Sequence, residues 1–303
     1  MRKAVLDVGS NSVLLLVEDK AGDVWSAVCE DTRVTSLGEG TKESGVLSEA
    51  AMQRTLAGMK ELWDLALSHG ATEIQAAATM AARIASNTPE FLARAFAQGT
   101  PVSVLSGEDE AELGFRAVAN DPAFGDALRL SIVDVGGQST EMVTADRHGD
   151  GWKVLFRRSY PIGTLALRGG LLKDECLTTP ALLRAVKEID DAIGLIYLPN
   201  QCGEVVTLGA TGTNLITIRE QMTAWDPARV HGAYLDYEEV SKAVGWMSRM
   251  TDAERAAIVG MERGREKTLH LGALILERAL HAFRALGTRV SVRGWRHALL
   301  ESP

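Results

Sequence analysis

The sequence predicts an α/β protein made of two similarly built halves, and three observations carry that expectation. The hexapeptide Asp7–Ser12 (DVGSNS) returns almost unchanged as Asp134–Ser139 (DVGGQS), 127 positions later (134 minus 7). Each copy lies between two short apolar runs, so each reads as strand, tight glycine turn and returning strand. After each copy, helical and strand patterns alternate, which is the mark of a layered α/β fold. A length of 303 residues suits two domains of roughly 150 residues each. The expected division is 1–124 and 125–303, two copies of one domain with a cleft between them.

In the first half, Lys3–Val8, Ser12–Asp19 and Asp23–Glu30 read as strands separated by glycine turns. Ser48 is placed to cap a long helix over Glu49–Gly70, which Gly70 stops. A strand over Glu73–Thr79, a helix over Pro89–Gly99, a strand over Pro101–Ser106 and a helix over Gly107–Asp121 follow. Asn120–Asp126 clusters Pro, Gly and Asp and reads as a linker. The pattern then restarts with strands over Arg129–Val135, Thr140–Asp146 and Trp152–Ser159. Helices are expected over Thr179–Tyr197, Thr213–Met222, Asp236–Met250 and Glu266–Gly287, with strands over Glu204–Gly209 and Arg289–Val292.

Composition excludes several classes. Apolar residues make up 46% and charged residues 24%, as in an ordinary globular protein. No apolar run approaches the ~20 residues of a membrane helix. The apolar stretch after the basic opening ends at Asp7, too soon for a signal peptide, so the expected location is cytoplasmic, with no membrane partner. Three widely spaced cysteines without a CxxC pair support neither disulfides nor zinc, and they read as buried thiols. Core packing is the expected role of Trp246 and Trp295. A net charge of −8 argues against nucleic acid as a partner. Arg263–Arg296 nonetheless holds eight Lys/Arg against two Glu, which fits either a local anion site or a solvated helix face.

The repeated turn carries the chemistry. Gly9, Gly136 and Gly137 let backbone amides approach an anion without a Cβ in the way. Ser10, Ser12, Ser139 and Thr140 add hydroxyls. Asp7 and Asp134 open the two turns at strand ends, where a carboxylate can hold hydrated Mg²⁺ or another divalent cation against a phosphate. Glu141 can join Asp134, whereas Leu14 occupies the matching place in the first copy. The other reading of each aspartate is turn stabilisation.

The repeat resembles the two phosphate motifs shared by actin, the heat-shock ATPases and the sugar kinases. Within that superfamily the chain is similar to the exopolyphosphatase / guanosine pentaphosphate phosphohydrolase family, in its short two-domain form. The likeness runs in order through VLDVGSNSVLLLV, AAATMAARIASN, VSVLSGEDEAELGFRAV, IVDVGGQSTEMV, YPIGTLAL, TLGATGTNLITI and VRGWRHALL. It implies duplicated actin-like (ribonuclease H-like) domains with an interdomain cleft. It places Glu110 at the carboxylate that orients the attacking water, and Asp134 and Glu141 at metal-associated positions. It places Ser10, Asn11, Arg83, Gly136, Gly137 and Ser139 at phosphate contacts. Without the resemblance, Glu110 reads equally as part of an acidic first helical turn favoured by the dipole.

Four positions depart from the family pattern. Met80 stands for Ser, Gln138 for the third Gly of the second turn, Lys267 for Asp and His297 for Glu. Gln138 either narrows the phosphate site or adds an amide donor to it. The implied activity is release of terminal phosphate from inorganic polyphosphate by metal-assisted water attack, with guanosine pentaphosphate as a further substrate. The alternatives are a non-catalytic polyphosphate or alarmone binder, suggested by the departures, and an ATP-dependent kinase of the same superfamily. A homodimer is compatible with the family, although no feature of the sequence points to one.

Overall fold

In the computed structural model, residues 1–21, 24–194 and 201–301 are described. The expected start of the third strand at Asp23 and the expected helix end at Tyr197 lie outside the described residues. The chain divides into two compact units, Met1–Leu113 with Trp295–Pro303, and Gly114–Gly294.

The sheet of the first unit contains β1 (Arg2–Val8), β2 (Ser12–Ala21), β3 (Val24–Val34), β4 (Glu73–Ala78) and β5 (Ser103–Val104), in the order β3-β2-β1-β4-β5. β1, β2 and β3 run antiparallel, and β4 and β5 lie parallel to β1. β1 is apolar on both faces because both are covered. Ala4, Leu6 and Val8 face the helix Glu49–Ser68 through Met52, Leu56 and Met59. Val5 points the other way, into a cluster with Leu16, Ala77, Trp295 and Leu300. Ser48 caps the long helix, its hydroxyl accepting the Ala51 amide at 3.2 Å, and Gly70 follows at φ +79°.

The second unit repeats the frame. β6 (Arg129–Val135), β7 (Thr140–His148), β8 (Gly151–Tyr160), β9 (Glu204–Leu208), β10 (Tyr234–Asp236) and β11 (Gly287–Val290) form a sheet in the order β10-β11-β9-β6-β7-β8. Only β10 is additional to the first sheet's pattern. The duplication extends to an irregularity in pairing. β3 carries one extra residue, Val28, opposite the Val17/Glu18 step, and β8 carries Leu155 opposite Thr144/Ala145, at the same interval of 127. Val133, Val135 and Met142 pack against the buried helix Leu269–Phe283.

Several expectations need correction. Asn120–Asp126 is no free linker but is anchored at two points: Asp121 caps a 3₁₀ turn at Pro122–Phe124, and the ring of Phe124 is buried beneath the Arg289 guanidinium. The basic segment is no solvated helix face, because Leu269–Phe283 is almost wholly buried. Three of its cations are paired, Arg278 with Asp190, Arg289 with Glu204 and Arg293 with Asp121. Of the cysteines only Cys202 is buried, and Cys176 is exposed. Trp295 packs in the core as expected, but Trp246 is 41% exposed. Among the described residues no helix is long and apolar enough to cross a membrane.

Candidate active site

Each repeated turn closes on itself in the same way. The Gly9 amide donates to the Ser12 carbonyl at 2.9 Å, and the Gly136 amide to the Ser139 carbonyl at 2.9 Å. The carbonyls between them are tied back into the protein. In the first turn, Ser10 O accepts the Gly38 amide at 2.8 Å, and Asn11 O accepts the Thr35 and Ser36 amides at 3.0 and 2.9 Å. In the second, Gly136 O accepts the Thr164 amide at 3.1 Å, and Gly137 O accepts those of Leu165 at 2.7 Å and Ala166 at 3.2 Å. In a trans peptide the carbonyl and the following N–H point in opposite directions. The amides of Asn11, Gly137 and Gln138 therefore turn away from these anchoring segments. Amides turned this way are candidates for a backbone anion nest.

Gly163 makes the second anchor possible. A Cβ there would lie 2.4 Å from Gly137 O and from Gln138 N, so only glycine allows this approach. Gly209 serves Asp134 similarly: it sits at φ +74°, and a Cβ would fall 2.9 Å from Asp134 Oδ1. Both glycines lie in stretches that carry the family resemblance, yet neither received a role from the sequence.

The first unit also holds Arg83 and Glu110. Arg83 rides on a short helix, Met80–Ile84, beside the first turn, where Ser10 Oγ accepts the Ala81 amide at 3.2 Å. Its Nη1 donates to Glu110 Oε2 at 2.6 Å and to Leu105 O at 3.0 Å. Its Nη2 is buried and has no hydrogen-bond partner among the described residues. Glu110 lies in the first turn of the helix Gly107–Ala119, where the Ser106 hydroxyl accepts the Asp109 amide. Burial sorts that acidic turn: Glu108 and Asp109 are exposed, whereas Glu110 is 9% exposed. Glu110 is thus more than a dipole-favoured surface charge. Burial pushes its carboxyl above the usual 4.5, against the opposing pull of Arg83. A buried ion pair of this kind contributes little net stability, so its presence points to function.

In the second unit Asp134 and Glu141 are cross-strand partners in the β6–β7 ladder. Their side chains share a face, and Glu141 is 2% exposed. Like charges directly opposite each other are destabilising unless compensated, and a cation is one compensation that two such carboxylates could take. Two carboxylates beside a phosphate nest fit the oxygen chemistry of Mg²⁺, which binds through one or two carboxylates and substrate phosphates. Asp7 lies in the first unit opposite Leu14. Among the described residues no group of three or more His, Cys, Asp or Glu gathers as a metal cluster.

Gln138 and His297 are buried, Met80 is half-buried and Lys267 is exposed.

Comparison with known proteins identifies the family. The Ppx/GppA phosphatase family profile matches residues 16–302. Exopolyphosphatase 2 of Mycobacterium tuberculosis is 28% identical over 296 residues, which cover 93% of this chain and 91% of that one. Exopolyphosphatase 1 of Mycobacterium leprae is 30% identical over 297 residues, covering 93% and 83%. The crystal structure of the Aquifex aeolicus member of the Ppx/GppA family matches with a TM-score of 0.81 at 31% identity, over 99% of this chain and 96% of that one.

Proposed function

Because the chain belongs to the Ppx/GppA phosphatase family, and so to a family of hydrolases, we propose that it is an exopolyphosphatase. It releases terminal phosphate from inorganic polyphosphate, with guanosine pentaphosphate as a second substrate. The observation that carries this reading is Glu110, buried against Arg83 while its acidic neighbours face solvent.

Phosphoanhydride hydrolysis needs the terminal phosphoryl group held, its charge neutralised and a water placed in line. The amides of Asn11, Gly137 and Gln138, with the hydroxyls of Ser10 and Ser139, would hold phosphate oxygens. Gln138 keeps its backbone donor whatever its side chain does. Arg83 would contribute its unpartnered Nη2 to an oxygen while Nη1 stays on Glu110. Asp134 and Glu141 would hold a divalent cation, whose chemistry is neutralisation of phosphate charge; Asp7 is the candidate carboxylate of the first unit's own turn. Glu110 would orient the attacking water and accept its proton, and burial raises its proton affinity toward the range where a general base is effective.

The test is phosphate release from long-chain polyphosphate and from guanosine pentaphosphate with Mg²⁺, comparing the wild type with Glu110→Gln. Release should fall about 10²–10⁴-fold in the variant. A folded wild type that binds polyphosphate without releasing phosphate from either substrate would overturn the hydrolase reading in favour of a binder. Release from guanosine pentaphosphate alone would overturn polyphosphate as substrate.

A further inference from the structure

Beside the carboxylate pair, the third strand of the second sheet carries a hydroxyl in the same row. Ser159 on β8 is the register partner of Glu141, which is the register partner of Asp134. Asp134, Glu141 and Ser159 therefore form one row across three strands, on one face of the sheet. The Ser159 hydroxyl donates to Glu141 Oε1 at 2.7 Å. Toward a carboxylate a serine hydroxyl acts as donor, so the bond fixes the twist of the Glu141 carboxyl group and the direction of both its oxygens. The same row in the first unit reads Asp7, Leu14, Thr32. It keeps a hydroxyl in third place, but Leu14 offers that hydroxyl no carboxylate to orient.

We propose that Ser159 is a positioning residue for divalent-cation binding, acting through Glu141. The inference rests on the proposed cation role of Asp134 and Glu141 and adds to it the residue that sets the angle of one ligand. The frame around Ser159 makes the placement dependable. The extra residue Leu155 shifts the β8 register only on the far side of Phe156, so Ser159 stays in phase with Glu141 up to the turn. Residues that orient metal ligands through a hydrogen bond typically change metal affinity about 10–100-fold when removed.

The experiment is Mn²⁺ binding followed by electron paramagnetic resonance, in saturating inorganic phosphate, for the wild type, Ser159→Ala, Ser159→Thr and Glu141→Gln. Thermal melting of the metal-free proteins runs alongside. Ser159→Ala should weaken Mn²⁺ about 10-fold or more with an unchanged melting temperature, and Ser159→Thr should restore it. In turnover, Ser159→Ala should raise the Mg²⁺ concentration for half-maximal rate and leave the rate at saturating Mg²⁺ nearly unchanged. Loss of binding in Glu141→Gln with wild-type binding in Ser159→Ala would overturn the role of Ser159 and leave the carboxylate pair standing. Unchanged binding in Glu141→Gln would overturn the cation reading itself, and this inference with it.

Discussion

The turn at Asp7 and the turn at Asp134 share a backbone and differ in what stands opposite the aspartate. Both close through a glycine amide on a serine carbonyl at 2.9 Å, and both tie their carbonyls back to a neighbouring segment. Opposite Asp7 stands Leu14, and opposite Asp134 stands Glu141. The first unit instead carries the buried Arg83–Glu110 pair. On the proposed reading, a duplicated frame keeps the same turn twice and divides the side-chain chemistry, with water activation assigned to one copy and cation binding to the other.

The most severe way to erase the difference is Glu141→Leu, which makes the second copy resemble the first. Phosphate release at saturating Mg²⁺ should fall on the order of 10²–10³-fold, the scale of losing one preorganised electrostatic group. Retained release with unchanged Mg²⁺ dependence would break the comparison. Gly163→Ala tests the anchor of the second turn. The new methyl group must displace the Gly137–Gln138 peptide, so the apparent KM for polyphosphate should rise. Stability should fall by about 1–3 kcal/mol, as in overpacked sites, measured by urea denaturation.

Arg83→Gln probes the first copy through pH. Burial raises the Glu110 carboxyl and Arg83 opposes it. With Glu110 as the proposed base, activity needs the ionised carboxylate, so the rate should fall as pH drops through the raised value. Without Arg83 that acid limb should move to higher pH in the kcat profile; movement to lower pH would mean that the pair does not set Glu110.

The smallest effect concerns stability alone. His270 is fully buried, and neither ring nitrogen has a hydrogen-bond partner among the described residues. Burial, followed by the charges of Arg255 and Arg168, lowers its pKa from 6.5 to about 3. Between those values the unfolded chain takes a proton that the folded one refuses. Its stabilising influence is therefore present above about pH 6.5 and is lost as pH falls toward about 3. His270→Leu should flatten that acid limb, with a gain of about 2 kcal/mol near pH 5 and none from this titration at pH 8, read from thermal melts.

The sequence carried the repeated turn, the strands around it and the burial-ready helix Glu49–Ser68, because apolar period and glycine placement are local signals. Glu110 was legible only through the family motif, since its acidic turn looks like any solvated helix start. Ser159 was not legible. Its partnership with Glu141 depends on counting across a bulge, and no local rule reveals the extra residue Leu155. The short helices Met80–Ile84, Thr164–Gly169 and Trp295–Glu301 also escaped, because helices of this length are marginal on their own and are fixed by tertiary contacts.

The return of Trp295 and Leu300 to the core beside Val5, Leu16 and Ala77 makes the first unit discontinuous in sequence, Met1–Leu113 joined by Trp295–Pro303. The second unit is one unbroken run, Gly114–Gly294. Contacts between distant parts of a chain close large loops, and that entropy slows folding. The unbroken unit should therefore fold faster than the one whose core draws on both stretches.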